Sequence, residues 1–441
     1  MKIEVKDIGI IRQASVICDG VTVITGKNGS GKSTLGKAVA SLFAGFMNAP
    51  RYYVKGNVAY AQKKVRELLR KWPFSDFSYV DQGDHPFKSL FRFARMSLAD
   101  AINPSPYVAL LNEGIQSIES NRQLFEAPSP ESREVWVLSQ PFADAEEALR
   151  EFGSIRDKLA SLNSDRQGYR DYLESYIRRE LNLSFHGQVT PIAKKDSDAS
   201  IIVSEGDTFV EYSYAKSSLS SNGDVSLFGD AFYVDDASMI ERVGARVSTR
   251  NPAQEERGVS TKELSSILLD RLKPSENALF GMANKPEFDK AFKLVNEIYP
   301  FDLVYSKGTL LTTNGGINIA NEASGRKIFA LLKLIMNSQL LLSPSLFIFD
   351  EPENHLHPEW QIKLAKLLCE LSRVSPAKFV CITHSPTLLL AFDVLGRKGN
   401  LHVYFSDANS QDDQFADVTG DIARAHKEIN DPYIFLDASD E

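Results

Sequence analysis

Residues 26–34 read GKNGSGKST. Gly26, Gly29 and Gly31 let a backbone curl until successive N–H groups point at one anion, with Lys27, Asn28 and Ser30 between them. A lysine closing such a loop can reach the β- and γ-phosphates of a nucleoside triphosphate, and the hydroxyl after it can hold Mg²⁺. The expected nucleotide contacts are therefore Gly26, Lys27, Asn28, Gly29, Ser30, Gly31, Lys32, Ser33 and Thr34, with Ser33 a metal ligand and Lys32 also catalytic. A second chemical group follows 317 residues after Ser33, where LFIFDE (346–351) ends in two carboxylates. Asp350, at the end of an apolar run, is placed to hold Mg²⁺, and Glu351 to act on a water in line with the γ-phosphate. A third is His384, ending KFVCITH, which could donate to the γ-phosphate. His355 and His357, in HLHP, stand two apart; a metal pair needs further ligands, and none is grouped with them, so a loop contact with a neighbouring subunit is preferred.

These groups need elements to place them. VTVIT (21–25) is a β-branched run of buried-strand type, and STLGKAVASLFAGF after the glycine loop has helical apolar spacing. Strand, loop and helix are the context a phosphate loop requires. LFIF and KFVCI are apolar throughout, as strands covered on both faces are, and PEWQIKLAKLLCELSRV between them reads as a helix. From about residue 260 helices and strands alternate, as in a mostly parallel sheet. Residues 141–183 read as helices broken near Gly153 and Gly168. ASIIVSEGDTFVEYSYA reads as a hairpin turning at Glu205, Gly206 and Asp207. AFYVDD (231–236) reads as a strand, and RNPAQEERG (250–258) as an exposed loop. The expected class is α/β.

The 441 residues carry a formal charge of −8, which argues against a surface that coats nucleic acid indiscriminately. A local basic groove is compatible with it: residues 62–71 and 88–95 are basic and helical in pattern, read first as solvated faces and second as phosphate contacts. No apolar run approaches a bilayer span, and MKIEVKDIGII is a strand pattern, not a signal peptide. Cys18, Cys369 and Cys381 lack metal spacing and read as buried thiols in a reducing cytoplasm.

The phosphate loop, LFIFDEP and THS together resemble the ABC-type ATPase head, over residues 20–45 and roughly 305–400. More narrowly, DEPENHLHPEWQ (350–361) resembles the single-chain AAA ATPases related to the OLD proteins and to SMC-like repair ATPases. Bacterial relatives of these include ATPase subunits of the anti-phage systems Septu, PARIS and retron-linked modules. The resemblance implies a P-loop NTPase with a mixed central sheet and an inserted helical and β-rich middle. The expected divisions are 1–135 and 259–441 for the two parts of the head, 136–190 for a helical insertion and 191–258 for a β-rich segment. It implies ATP with Mg²⁺, hydrolysis to ADP and phosphate, and a head-to-tail homodimer that sandwiches ATP. The signature loop of such a dimer is read at NEASGRKIFALLKLI (321–335), with Ser324 and Gly325 facing the partner's nucleotide. Arg326 and Lys327 replace the expected glycine and its neighbour, and are read as transition-state cations or as ordinary surface groups. For the glutamine that touches the metal, Gln82, Gln188 and the AFYVDD strand compete. Arg12 and Gln13 are candidate adenine contacts.

The function implied is a cytoplasmic sensor or scaffold of anti-phage defence. It would control a separate effector, a nuclease or toxin, by ATP-dependent closure, with phage protein or DNA as trigger, no membrane, and dimers that can assemble further. The chain ends about 55 residues after His384, too soon for the Toprim nuclease of OLD proteins. The alternatives are an SMC-like DNA repair or clamping ATPase, a transporter nucleotide-binding subunit, and an ATP-gated scaffold whose hydrolysis is only a timer.

Overall fold

A computed structural model describes residues 1–70, 88–98, 101–122, 145–191, 198–223, 228–242, 262–272, 286–306, 309–313, 316–397, 399–410 and 413–437. In chain order the first elements are β1 (Lys2–Ile8), β2 (Ile11–Ile17), β3 (Val21–Gly26), α1 (Lys32–Arg70), α2 (Lys88–Arg95), α3 (Ser105–Ser120), α4 (Ala145–Ser161) and α5 (Arg166–Ser184). Next come β4 (Ser200–Glu205), β5 (Thr208–Ser213), β6 (Ser218–Asn222), β7 (Asp230–Val234), α6 (Lys262–Arg271), α7 (Asp289–Ile298), β8 (Leu303–Ser306) and β9 (Thr309–Thr312). The last are α8 (Ser324–Asn337), β10 (Ser345–Asp350), α9 (Pro358–Val374), β11 (Lys378–Ile382), α10 (Pro386–Gly396), β12 (Leu401–Ser406), β13 (Phe415–Asp417) and α11 (Ile422–Asp437).

The chain forms two compact units, Met1–Gly45 with Glu174–Glu441, and Phe46–Leu173. The first contains a six-stranded sheet in the order β13-β12-β3-β11-β10-β7. β12, β3, β11, β10 and β7 run parallel, and β13 closes one edge antiparallel. The sheet is mixed, as expected. Its register is marked by phenylalanines: Phe232 lies opposite Phe347, and Phe347 opposite Phe379. Their rings stack at 5.2 and 5.7 Å between centroids, a cross-strand ladder on one face. A slip of one residue would turn every one of those rings to the other face. All six residues of β3 are buried, which is why its sequence lacks the alternation of a half-exposed strand. A second sheet of the same unit, all antiparallel, has the order β2-β1-β4-β5-β6. α8 is buried at almost every position from Gly325 to Met336, so its pattern is apolar all round.

The second unit packs the later part of α1 with α2, α3 and α4 around Val58, Val65, Leu69, Leu90, Phe93, Leu111, Ile118, Phe152 and Leu159. Buried Gln62 donates from Nε2 to the carbonyls of Phe93 and Met96, both at 2.9 Å, satisfying the end of α2. α2 coincides with the basic stretch 88–95, and residues 62–70 of the other lie in α1.

Several expectations are corrected. α1 continues well past the STLGKAVASLFAGF stretch, through Pro50, as one 39-residue helix. α4 passes through Gly153 and α5 through Gly168; the break lies between Ser161 and Arg166, where the side chain of Asp165 accepts the N–H of Gly168. A cap, not a glycine, sets that boundary. The helical unit starts within α1, and β4 pairs with β1, bringing β5 and β6 into the same sheet. The hairpin over 200–213 turns where expected, with Gly206 at φ +58°. RNPAQEERG lies outside the described residues. Among the described residues no helix is long and apolar enough to cross a membrane.

Candidate functional site

The phosphate loop leaves β3 at Gly26, whose φ is +138°. A Cβ there would lie 2.3 Å from the Ser406 carbonyl oxygen of neighbouring β12, so only glycine fits. Ser406 in turn donates its hydroxyl to the Ser30 carbonyl at 2.8 Å, fixing the far side of the loop. Gly29 and Gly31 take φ of +73° and +99°, and α1 starts at Lys32 with no acidic residue in its first turn. A helix N-terminus free of carboxylates, fed by a glycine loop, suits a phosphate chain. The buried ammonium of Lys32 folds onto its own loop, donating to the carbonyls of Gly26 (3.0 Å) and Lys27 (2.7 Å). Burial lowers its pKa to about 8, against the pull of Asp350 and Glu351.

β10 delivers Asp350 beside this loop. The Ser33 hydroxyl donates to Asp350 Oδ1 at 3.1 Å, so the two expected metal ligands meet although they come from different elements. A hydroxyl and a carboxylate are hard oxygen donors, and the pair fits Mg²⁺. The other carboxylate oxygen, Oδ2, takes the phenol of Tyr233 on β7 at 2.5 Å. Burial is the main cause that raises the Tyr233 phenol pKa well above its ordinary range, so toward the Asp350 carboxylate it is the donor.

Glu351 has φ +52°, a left-handed conformation rare for a residue with a side chain. Its N–H is fixed by the Ile382 carbonyl at 2.8 Å. Backbone strain of this kind gathers where a side chain must be aimed. Glu351 Oε1 lies 3.5 Å from His384 Nε2. Burial first, then the charge of Lys32, lower the His384 pKa, so the imidazole is neutral at pH 7 and the contact is not an ion pair.

The loop bearing His384 is held by a residue that the sequence reading passed over. One oxygen of Glu353 accepts the Thr383 hydroxyl at 2.6 Å, the His384 N–H at 2.9 Å and the Ser385 N–H at 3.2 Å. Burial raises the Glu353 pKa, against the opposing effect of those bonds. Tyr233 was likewise passed over as a site residue, although its strand was recognised. The acidic pair of AFYVDD, Asp235 and Asp236, emerges from β7 into a cleft of about 430 Å³ that Glu241, Ser324, Lys327, Asp350, Glu351 and His355 also line.

Other expectations meet a different geometry. Lys327 is neither a surface group nor a free cation: it is 6 % exposed, and its ammonium reaches Glu241 Oε1 at 2.6 Å and the Ala320 carbonyl at 3.2 Å. Arg326 lies 3.6 Å from Glu322, one helical turn away. Ser324 is exposed at the first turn of α8, while Gly325 is buried, and a Cβ there would come within 2.6 Å of the His355 carbonyl. His355 thus packs its backbone against α8, and His357 caps α9, its Nδ1 accepting from Glu359 N at 3.4 Å. Among the described residues no group of three or more His, Cys, Asp or Glu side chains could hold a metal. The guanidinium of Arg12 donates to the Ala408 and Ser410 carbonyls, and the Gln13 carbonyl accepts the Gln414 N–H. Gln188 is exposed in the turn after α5, next to Val189, whose carbonyl holds the N–H of Gly9. A Cβ on Gly9 would meet Thr34 at 2.8 Å, which places that turn beside the start of α1. Gln82 lies outside the described residues.

Residues 194–391 match the family model described as "AAA domain, putative AbiEii toxin, Type IV TA system". The match takes in β7, α8, the acidic pair and His384, and stops short of the phosphate loop. No curated protein matches the chain. Among solved structures, an SMC head bound to the C-winged helix domain of ScpA is 12% identical with a TM-score of 0.40, covering 96% of this chain and 98% of that one. The SMC head domain from Thermotoga maritima is 13% identical, TM-score 0.33, covering 91% and 93%. A Smc head domain with an extended coiled coil from Pyrococcus furiosus, bound to the C-terminal domain of ScpA, is 11% identical, TM-score 0.29, covering 96% and 97%. At such scores these three carry no argument, and the fold rests on the strand order, the glycine loop and the family match. The chain has an α/β P-loop fold with a mixed central sheet, and residues 194–391 are similar to the AAA domain family.

Proposed function

We propose that the chain binds ATP with Mg²⁺ at the carboxyl edge of its parallel sheet and hydrolyses it to ADP and phosphate. The observation that carries this reading is the meeting of Ser33 with Asp350 at 3.1 Å and of Glu351 with His384 at 3.5 Å, beside one glycine loop. Backbone N–H groups of residues 27–33 and the Lys32 ammonium bind the phosphates. Mg²⁺ held by Ser33 and Asp350 would draw charge from the β- and γ-phosphate oxygens. Glu351 orients a water toward the γ-phosphorus and accepts its proton; the bond from phosphorus to the β–γ bridging oxygen breaks, and ADP leaves with the electron pair. Neutral His384 donates to a γ-phosphate oxygen. Glu351→Gln keeps the shape and loses the base. Its expected phosphate release is at least about 100-fold slower, with ATP affinity unchanged, on the scale of general-base removal. Unchanged turnover would remove Glu351 from that role.

We further propose that Ser324 and Gly325 close over the nucleotide of a second copy, and that closure signals to a separate effector in bacterial defence. The family description, which names a putative toxin of a toxin–antitoxin system, supports this reading. A second reading, an ATP-gated clamp on DNA, is favoured by the composition of α1, which between residues 51 and 69 carries Arg51, Lys55, Lys63, Lys64 and Arg66 and one acidic residue, Glu67. Purifying the Glu351→Gln protein with ATP from its native host separates the two. A stoichiometric nuclease or toxin chain supports the first, and DNA without a protein partner supports the second.

A further inference from the structure

We propose that Tyr233 is a positioning residue whose phenol, by holding Asp350 Oδ2, turns Oδ1 toward Ser33 and so sets how strongly Mg²⁺ tightens nucleotide binding. The proposal rests on the ATP-binding reading above and assigns a new residue to it.

The geometry comes from the sheet. β7 and β10 are parallel neighbours with Tyr233 opposite Ile348, so the long side chain of Tyr233 needs to reach only two residues further to meet Asp350. Side chains alternate along a strand, so Phe232 joins the phenylalanine ladder on one face and Tyr233 projects from the other. On that face the start of α1 makes room for the ring. A Cβ on Gly36 would lie 3.0 Å from Tyr233 Cε2 and 3.1 Å from both Ile348 and Ile382. The helix that begins at the phosphate loop therefore covers the tyrosine one turn later. The phenol is 2.5 Å from Oδ2 and the Ser33 hydroxyl 3.1 Å from Oδ1, so both carboxylate oxygens are engaged from opposite sides.

A carboxylate held at one oxygen only can swing about its last torsion, which is broad. Held at both, it keeps one oxygen aimed at the place where Ser33 would share a cation. Partners that orient a metal ligand through its other oxygen commonly change metal affinity about 10–100-fold when removed.

The test uses Tyr233→Phe, which deletes one oxygen and leaves the ring. A fluorescent ATP analogue is titrated in EDTA and again across Mg²⁺ concentrations, with wild type in parallel. The expected result is equal affinity in EDTA and a half-saturating Mg²⁺ concentration raised about tenfold in the variant. An equal Mg²⁺ requirement in the two proteins overturns the proposal and leaves the ATP reading standing. Affinity lost equally in EDTA and in Mg²⁺ also overturns it, because the tyrosine then only supports the loop's shape. Wild type that binds the analogue neither with nor without Mg²⁺ overturns both readings.

Discussion

Three hydrogen bonds converge on one oxygen of Glu353, and they fix the strand end that presents His384. Glu353→Ala would leave the His384 N–H and the Thr383 hydroxyl without their acceptor, while the Ser385 N–H keeps Thr383 Oγ1 at 2.9 Å, and each donor so orphaned, when buried, costs about 1–3 kcal/mol. The expected outcome is an ATPase kcat lowered at least about tenfold with ATP affinity within about twofold. Glu353→Gln, which keeps an acceptor oxygen, should recover most of the rate. Loss of affinity equal to the loss of rate would show that the loop supports the phosphates and not the histidine. Lys32 gives a second expectation. Its free-state pKa is lowered to about 8 by burial, and the negative charge of a bound triphosphate favours the ammonium, so the bound pKa is higher than the free one. Binding then takes up a proton between the two values, and affinity falls as pH rises through 8. ATP should bind about tenfold more weakly at pH 9 than at pH 7. Calorimetry at pH 9 in two buffers of different ionisation heat would read the proton uptake, and a dissociation constant flat from pH 7 to 9 would exclude it. Lys32, Asp350 and Glu351 were legible as candidates because local spacing marks them. Tyr233 and Glu353 were not, since what matters is a partner 117 residues away for one and 30 or more for the other.

Elements transmit position between these residues. The segment from Tyr233 to Glu241 touches Asp350 at one end and, through the Glu241–Lys327 pair at 2.6 Å, the first turn of α8 at the other. β7 and the 3-10 turn at Ala237–Arg242 thus join the candidate metal ligand to α8 of the same chain. Lys327→Met keeps the bulk and removes the ammonium. Glu241 is about one-third exposed and can be rehydrated, so the cost is set mainly by the buried side of the pair and by the Ala320 carbonyl, about 1–2 kcal/mol. The expected shift of the thermal midpoint is about 1–3 °C downward. An unchanged midpoint would mean that the pair contributes nothing net. The strands around the site were readable from their uninterrupted apolar runs. Helix ends were read less well, because glycine was given the weight that Asp165 actually carries, and because proline inside a long helix is a cost that packing can offset.

At the scale of the whole molecule, exposed Ser324 lies at the start of a helix and lines the same cleft as Asp350 and Glu351. If a second copy completes the site, Glu351→Gln with ATP and Mg²⁺ should run at twice the monomer mass by light scattering, and adding Ser324→Arg should return it to monomer with ATP binding intact. A monomer at saturating ATP in the first variant would remove the sandwich. The α/β class and a mixed, mostly parallel sheet followed from sequence, whereas the joining of β1 to β4–β6 did not, because strand pairing across a long excursion leaves no local trace.

The Ser406 hydroxyl that steadies the phosphate loop belongs to a residue 376 positions after its partner. On a ribosome adding about 5–20 residues per second, the loop emerges roughly 20–75 s before that residue is made. Throughout that interval β3, buried at every position in the finished protein, has neither β11 nor β12 beside it. Its apolar faces and both unpaired edges are then open to other chains, so the yield of active protein should depend on translation speed and on chaperones that shield nascent strands.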